Sequence, residues 1–361
     1  MKVVIQKCES YEDAERAVEE GLEKLGGIEA FIKKGDKVLI KPNLLGARKP
    51  EDCVTTHPEV VRAVIRQIKK ITDEITIGDS PGFVGNVRGW ETVIEKTGMK
   101  KIAEEENVKL EALKTPKEVE SKEWIITKKL MIAEETMKYD KIVNVAKLKT
   151  HSLTVYTGCV KNMFGIIPGR LKSGMHTKFQ DPYNFSKMLL DLYMVRKPDL
   201  NIIDGVYGME GDGPASGDVR HFGIIGLSQD ALELDYAITK DTKLEIPMIR
   251  IAEERKMIMK VEVEGEFKTE IKKPSTGILT SYVLPIAGNV RNKLTSKPAL
   301  TQERCTKCES CYKICPVKAI SMNPYPEFDY SKCIRCYCCH EICPEKAIYL
   351  KKSIVQKLLR R

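Results

Sequence analysis

The sequence predicts an α/β protein with a mainly parallel sheet covered by helices, followed by a small, cysteine-rich α+β domain. Up to residue 239, short apolar runs alternate with segments whose apolar residues recur at helical spacing, the pattern of strands joined by crossover helices. Between residues 305 and 343, eight of the 12 cysteines fall in two copies of one spacing. At 361 residues the chain is long enough for two or three domains.

The first region is predicted from the period of its apolar residues. Helices are expected at 12–26, from 58 onward, at 90–97, 185–195 and 231–239. Strands are expected at 38–40, 75–77, 141–145, 200–203, 222–227 and 260–263, with an edge strand at 124–126. A linker is expected near 285–300. We therefore predict an α/β domain over 1–295, a cysteine-rich domain over 296–352 and a short basic tail over 353–361.

The second region is predicted from its cysteines. Cys305, Cys308, Cys311 and Cys315 are followed by a proline, and Cys333, Cys336, Cys339 and Cys343 repeat this spacing 28 residues later. The flanks repeat as well, as ICPVKAI at 314–320 and ICPEKAI at 342–348. This duplicated spacing is that of bacterial ferredoxins, which hold two 4Fe–4S clusters. The sequence therefore predicts two 4Fe–4S clusters in a small ferredoxin-like domain.

In such domains the fourth cysteine of each motif ligates the cluster of the other motif. One predicted ligand set is Cys305, Cys308, Cys311 and Cys343, and the other is Cys333, Cys336, Cys339 and Cys315. Disulfides are disfavoured because no other feature of the sequence indicates a secreted protein. Zinc is disfavoured because zinc ribbons use two C-x2-C pairs, not triplets of cysteines with a distant fourth ligand. Cys338, next to Cys339, is interpreted as a small residue that packs beside the cluster. The other interpretation is that Cys338 is an alternative ligand of the cluster.

Charge and hydropathy narrow the choice of partners. From residue 296 onward there are 13 Lys and Arg against 6 Asp and Glu, so this region carries +7 of the net +9. The sequence has no stretch in which basic and aromatic residues alternate, and no motif that is known to read DNA or RNA. Nucleic acid is therefore not expected as a partner. No apolar run reaches the ~18 residues of a membrane span, and the N-terminus lacks a signal-peptide pattern. We expect a cytoplasmic protein whose partners are a redox protein, an anionic small molecule and, as an option, a second copy of the chain.

A second site is expected where the strands of the α/β domain end in polar or glycine-containing turns. In open α/β sheets ligands bind beyond the carboxyl ends of the strands, so these turns should converge. Lysines at this edge would suit a phosphate or carboxylate, and a flavin phosphate such as FMN is suggested by charge alone. The candidate binding residues are Lys41, Asn43, Asp79, Ser80, Lys147, Lys149 and Asn162. The candidate catalytic residues are His151, His176 and Lys161.

Several polar residues near these turns have structural alternatives. His57, before Pro58, is expected to cap a helix rather than to catalyse. Asp204, Glu210 and Asp212 fit metal binding, lysine orientation or turn formation equally well. The chain has neither a G-x-G-x-x-G after a strand nor a P-loop, and it lacks the G-x-S-x-G of hydrolases.

Six segments together resemble the family called domain of unknown function 362. They are residues 41–43 (KPN), 55–58 (TTHP), 78–81 (GDSP), 144–151 (NVAKLKTH), 157–165 (TGCVKNMFG) and 210–214 (EGDGP). The resemblance covers about 36–240, and members of the family are often fused to ferredoxin-type modules. It implies an iron–sulfur protein with an α/β partner domain, and it implies no particular reaction.

The leading hypothesis is an iron–sulfur redox protein that passes electrons to or from an anionic substrate or cofactor in the α/β domain. The alternatives are a non-enzymatic accessory or maturation factor and a plain electron carrier. Bound small molecules in anaerobically purified protein would favour the enzyme, whereas cluster transfer to an apo-acceptor would favour the maturation factor.

Overall fold

The structure is a computed structural model that describes residues 2–81, 87–169, 171–276 and 294–353. Within these residues, strands β1 to β15 are Lys2–Lys7, Val38–Pro42, Ile75–Asp79, Lys109–Ala112, Pro116–Glu120, Lys129–Ala133, Lys141–His151, Val155–Thr157, Leu200–Glu210, Asp218–Ser228, Glu262–Glu264, Lys297–Leu300, Ile320–Asn323, Tyr325–Phe328 and Ile348–Lys351. Helices α1 to α11 are Ala14–Lys24, Pro58–Lys69, Val87–Lys96, Met99–Glu105, Cys159–Asn162, Leu171–Lys178, Pro182–Val195, Ala231–Thr239, Pro247–Glu254, Ser310–Ile314 and Cys338–Ile342.

A nine-stranded sheet organises the first part of the chain. Its order is β11-β1-β10-β9-β7-β2-β3-β4, and β8 pairs with the end of β7. Five strand pairs are parallel, and the three that involve β10 or β8 are antiparallel. The prediction of a mainly parallel sheet flanked by helices is confirmed.

The sheet is buried on both faces because helices cover each side. Strands β2 and β3 are buried at every residue, which explains why they read as unbroken apolar runs rather than as alternating patterns. Helices α1 and α2 cover one face of the sheet. Helix α2 packs there through an apolar stripe that includes Val61, Val64 and Ile68. Residues of α8 and α9 pack in a second apolar cluster with Ile203 of β9. Both faces thus hold the strand ends in fixed positions.

The predicted edge strand at 124–126 is wrong. The backbone N–H groups of Ile125 and Ile126 donate to the carboxylate of Asp191 in α7 instead of to a neighbouring strand. Thr127 adds its own N–H and hydroxyl to the same carboxylate, at 2.8 and 2.9 Å. The buried carboxylate therefore accepts the backbone hydrogen bonds that a neighbouring strand would accept in a sheet. The period of the apolar residues cannot reveal such a side-chain partner.

Strand β7 is longer than predicted, and this changes the geometry of the site. Residues 147–151 continue the strand instead of forming a turn after it. Because side chains alternate along a strand, Lys147, Lys149 and His151 project from the same face of β7. Strand β9 also extends past its predicted end, so Asp204 lies within the strand and is paired with Lys147 in the ladder.

The cysteine-rich part forms two short antiparallel ladders, β12 with β15 and β13 with β14, and the helices α10 and α11. The sequence repeat is also a repeat of backbone conformation. Three positions have left-handed φ values of 50–63° in both copies, namely Lys307 and Arg335, Glu309 and Tyr337, and Lys318 and Lys346. Such φ values are unfavourable for residues with a Cβ, so the same tight loop is imposed in both copies.

Parts of the predicted organisation lie outside the described residues. These are residues 285–293 of the expected linker and the expected basic tail from 354 onward. The boundaries of the three predicted domains therefore stay predictions.

Candidate functional site

The eight motif cysteines line two cavities. The first, of about 350 Å³ out to its opening, is lined by Cys305, Cys308, Cys311 and Cys343. The second, of about 340 Å³, is lined by Cys315, Cys333, Cys336 and Cys339. Each cavity thus takes three cysteines from one motif and the last cysteine from the other. All 12 cysteines carry free thiols, so disulfides do not occupy these positions.

The surroundings of the cysteines fit 4Fe–4S clusters. The backbone N–H of Ala319 donates to Sγ of Cys315, and that of Ala347 donates to Sγ of Cys343, each over 3.2 Å. Such hydrogen bonds stabilise thiolate charge and tune cluster potentials. In the described residues, no group of three or more His, Cys, Asp and Glu side chains is arranged to hold a single metal ion. A cubane differs because its four thiolates each bind a separate iron.

A third and larger cavity lies between the sheet edge and the cysteine-rich module. It measures about 850 Å³ out to its opening. The polar residues of the α/β domain that line it include Asn43, Lys149, His151, Lys161, Lys172 and His176. We call it the inter-module cavity.

The cysteine-rich module forms one wall of the inter-module cavity through Ile314, Cys338, Glu341 and Ile342. Cys338 also lines the second cysteine cavity, so this residue borders both spaces. The guanidinium of Arg48 donates to the backbone carbonyls of Cys343 and Pro344, which ties the α/β domain to the end of α11. The module is therefore docked on the sheet edge through buried hydrogen bonds.

Two of the predicted binding lysines lie beneath the cavity rather than along it. Lys41 pairs with Asp79 over 2.9 Å, and Lys147 pairs with Asp204 over 2.9 Å. Both lysine side chains have no solvent exposure. Because each ammonium already has a carboxylate partner, Lys41 and Lys147 contribute little net positive charge to the cavity. Their role in binding the anion stays a prediction.

Lys149 and two asparagines form a hydrogen-bonded floor to the cavity. The ammonium of Lys149 donates to Oδ1 of Asn43 over 2.6 Å and to the carbonyl of Val54. Nδ2 of Asn43 donates to Oδ1 of Asn162 over 3.0 Å, and Nδ2 of Asn162 donates to Asn144 over 2.8 Å. Burial, and then the neighbouring Lys161 and Lys147, hold the pKa of Lys149 well below its usual value.

Ser80 and Lys172 shape the opposite side of the cavity. The hydroxyl of Ser80 accepts a hydrogen bond from the N–H of Gly169 over 2.9 Å, and its carbonyl accepts one from the ammonium of Lys172. Burial lowers the pKa of Lys172 to about 7. The sequence prediction missed Lys172 because it lies in α6, away from any strand end.

Lys161 is the lysine most available to a ligand. Its ammonium lies 5.6 Å from the centre of the Phe164 ring, and within the described residues it forms neither an ion pair nor a hydrogen bond. Burial lowers its pKa, partly offset by the charge of Glu341. A desolvated ammonium without a carboxylate partner is a strong candidate for binding an anion.

His151 is held as a neutral ring. Its Nδ1 accepts from the N–H of Leu153 over 3.0 Å, which leaves the proton on Nε2. Nε2 lies 3.3 Å from Oε1 of Glu341 but outside hydrogen-bond alignment, so that oxygen has no donor. Burial and the neighbouring Lys161 keep the pKa of His151 well below its usual value. Burial raises the pKa of Glu341 to about 7.

His176 stacks on Phe185, with ring centres 4.6 Å apart. Its Nδ1 is buried and has no hydrogen-bond partner. Burial, followed by the charge of Lys161, lowers its pKa to about 3. The ring is therefore neutral and presents an unused nitrogen at the cavity.

His57 caps α2, as predicted, because its Nδ1 accepts from the N–H of Glu59 over 3.3 Å. Its ring stacks on Tyr11 with centres 3.4 Å apart. The carboxylate of Asp204 accepts hydrogen bonds from the ammonium of Lys147 and from the backbone N–H of His57. Of the three roles predicted for Asp204, the structure shows the orientation of a lysine. Glu210 pairs with Arg220 over 2.9 Å.

Glu341 could not be predicted as a cavity residue, since only docking of the module brings it to the sheet edge. The alternation of Lys147, Lys149 and His151 along β7 was a readable signal that these three share a face. Lys161, a candidate catalytic residue, and Asn162, a candidate binding residue, both lie on α5 and line the cavity.

Comparisons with known proteins match two separate parts of the chain. A family model described as "Domain of unknown function (DUF362)" matches residues 38–240. A model described as "4Fe-4S binding domain" matches residues 298–321 and 326–349. A thylakoid-associated protein of Synechocystis sp. is 32% identical over 266 residues, which cover 73% of this chain and 81% of that protein.

Among solved structures, the lactate racemase apoprotein from Thermoanaerobacterium thermosaccharolyticum is similar at 18% identity. The match covers 55% of this chain and 50% of that one, with a TM-score of 0.36. In the residues described, helices long and apolar enough to cross a membrane are absent.

Proposed function

Because this chain belongs to the DUF362 family and carries two 4Fe-4S binding motifs, we propose that it is a redox protein in which the clusters exchange electrons with an anionic compound in the inter-module cavity. That it is an iron–sulfur protein follows from the matched motifs; the electron transfer and the cavity ligand are the proposal. The observation that carries it is the position of Cys338, which lines both the second cysteine cavity and the inter-module cavity.

Cys308, in the first cysteine cavity, is the one exposed residue among the eight motif cysteines; the other seven, three of them in the same cavity, are buried or half-buried. We propose that a redox partner protein exchanges electrons at the first cavity. The second cavity, next to Cys338, then serves the compound between the modules. Bound clusters supply single electrons, which thiolate-ligated iron can store and release.

The residues of the chain would bind and orient the compound. Lys161 would hold its anionic group, and Lys149 and Lys172 would add positive potential from the floor and the opposite side. His176 presents a neutral ring that has an unpartnered nitrogen for a hydrogen bond, and His151 presents an N–H. The module wall of Ile314 and Ile342 would exclude water from the reacting end.

The occupant is proposed only as an anion. Neither matched family model describes a flavin site, so a flavin phosphate is no longer proposed. A plain electron carrier would need the exposed first cavity but not a cavity lined by lysines at the second.

The experiment that tests this function uses anaerobically purified full-length protein. Iron and sulfide are measured first, and about eight irons per chain are expected for two cubanes. Small molecules released on denaturation are then identified by mass spectrometry. The dithionite-reduced protein is mixed with each released anion, and reoxidation of the clusters is followed by absorbance. Reoxidation by a released anion supports the proposal. Full clusters that no released anion reoxidises would support the plain carrier.

A further inference from the structure

The inter-module cavity contains an amino group and a carboxyl group that are not paired with each other. Lys161 enters from α5 of the α/β domain, and Glu341 enters from α11 of the cysteine-rich module. Each affects the charge of the other, yet they form no ion pair within the described residues. The ammonium has no hydrogen-bond partner in the described residues, and Oε1 of Glu341 has only Nε2 of His151 beside it, at 3.3 Å and without an aligned hydrogen bond.

A buried polar atom without a hydrogen-bond partner is destabilising, and more so when it is charged. A direct ion pair between Lys161 and Glu341 would relieve both groups, but the fold holds them on separate elements facing the same space. A ligand that reaches both groups would relieve them together.

The sign of the two groups restricts what that ligand can be. A simple anion would satisfy Lys161 but would bring its charge toward the carboxylate of Glu341. A ligand with an anionic group at one end and a hydrogen-bond donor at the other would satisfy both. Apolar side chains, among them Leu44, Phe164 and Ile342, line the rest of the cavity and would contact an apolar body.

We propose that the inter-module cavity binds a small molecule with a carboxylate or similar anion, held by Lys161, and an ammonium or hydroxyl donor, held by Glu341. This inference rests on the proposed function, because it takes the cavity to be the anion site. It makes Glu341 a specificity-determining residue that the cysteine-rich module contributes to a site built on the α/β domain. The site is therefore complete only when the module is docked.

The test is calorimetric titration of the anaerobically purified full chain with matched acids. Each set contains a plain carboxylic acid, its 2-amino derivative and its 2-hydroxy derivative on the same carbon skeleton, with two-, three- and six-carbon skeletons. In at least one set, a donor-bearing acid should bind about tenfold or more tightly than the plain acid. The amino and hydroxy members separate the two possible donors.

Variants assign the preference to Glu341. In Glu341→Gln the preference for the donor-bearing acid should fall to about twofold or less, since the amide is no longer a charged acceptor. Glu341→Asp, which keeps the carboxylate, should retain part of it. Glu345→Gln, at an exposed carboxylate in the same segment, should leave it unchanged. Iron content, measured for each variant, shows that the module is intact.

The outcomes separate this inference from the proposed function. If plain acids bind as tightly as their derivatives in every set, or if the preference survives in Glu341→Gln, the inference is wrong while the anion site stands. If no acid in any set binds to the parent protein or to Lys161→Gln, both the inference and the anion site are overturned.

Discussion

Cys343, the last cysteine of the second motif, lies in the same cavity as Cys305, the first cysteine of the first motif. This crossed arrangement makes a prediction for pairs of substitutions. Replacing Cys305 and Cys343 together with alanine should remove one cluster, because both residues would serve the same one. Iron should fall from about eight to about four per chain. Replacing Cys343 and Cys333 together should remove both clusters.

The control for the cysteine pairs is Cys53→Ala, at a buried cysteine of the α/β domain, which should leave the iron content unchanged. Equal iron loss in the two double variants would contradict the crossed ligand sets.

Lys161 should dominate anion binding. Lys161→Gln removes the one cavity lysine that has no partner in the described residues, so a carboxylate ligand should bind about tenfold or more weakly. Lys178→Gln is the matched control, because Lys178 is an exposed lysine on α6 that does not line the cavity. Titration calorimetry measures both affinities, and equal affinities in the two variants would exclude Lys161 as the anion-binding group.

Anion binding should be coupled to proton uptake. Burial lowers the pKa of Lys172 to about 7, so at about pH 8 its side chain is mostly neutral in the free protein. A bound anion favours the ammonium and raises this pKa, and a proton is then taken from the buffer. The binding enthalpy at this pH should therefore vary with the ionisation enthalpy of the buffer. Lys172→Met should reduce that variation, and a buffer-independent enthalpy in the parent protein would count against the coupling.

His176 should make the protein less stable in acid. Its pKa is about 3 in the folded state and about 6.5 in the unfolded state, so between these values only the unfolded state binds the proton. The free energy of unfolding should therefore decrease by about 1.4 kcal/mol per pH unit as the pH falls below about 6.5. His176→Phe should remove this contribution.

Chemical denaturation of the parent and variant at several pH values measures the effect as a difference, which cancels the acid sensitivity of the clusters. His221→Phe, at an exposed histidine, is the control. A difference between the parent and His176→Phe that stays constant with pH would contradict the assignment of this buried neutral ring.

Arg48 should hold the module against the sheet edge. Its guanidinium donates to two carbonyls at the end of α11, and a hydrogen bond to a charged group contributes about 1.5–3 kcal/mol. Arg48→Ala should therefore speed amide hydrogen exchange in Cys338–Ile342. Arg250→Ala, at an exposed arginine on α9, should leave this exchange unchanged. Unchanged exchange in Arg48→Ala would show that the contact does not hold the module.

The sequence was most informative where a local pattern decides local structure. Helix α8 matches its predicted range at both ends, since its apolar residues and the Asp230 cap are both local signals. The crossed grouping of cysteines follows from a fixed spacing. The antiparallel pairing of β10 with β1 could not be predicted from the spacing of apolar residues, because this spacing does not encode the direction of a strand.

The site was less predictable because charge is settled by partners that are distant in the sequence. Lys41 and Lys147 read as free cations until Asp79 and Asp204 are placed beside them. Lys149 and Lys161 likewise look like free cations in the sequence, but these two line the cavity. The contribution of Glu341 depends on the docking of a separate module, which no local pattern describes.

The most direct test of the central claim is a potentiometric titration followed by electron paramagnetic resonance, with and without a saturating carboxylate ligand from the matched acids. The signal of the second cluster is identified by its loss in Cys333→Ser. An anion held next to Cys338 should lower the reduction potential of the second cluster and leave that of the first nearly unchanged. Lys161→Gln should abolish the shift. Potentials that do not move, or that move equally for both clusters, would contradict a redox site between the modules.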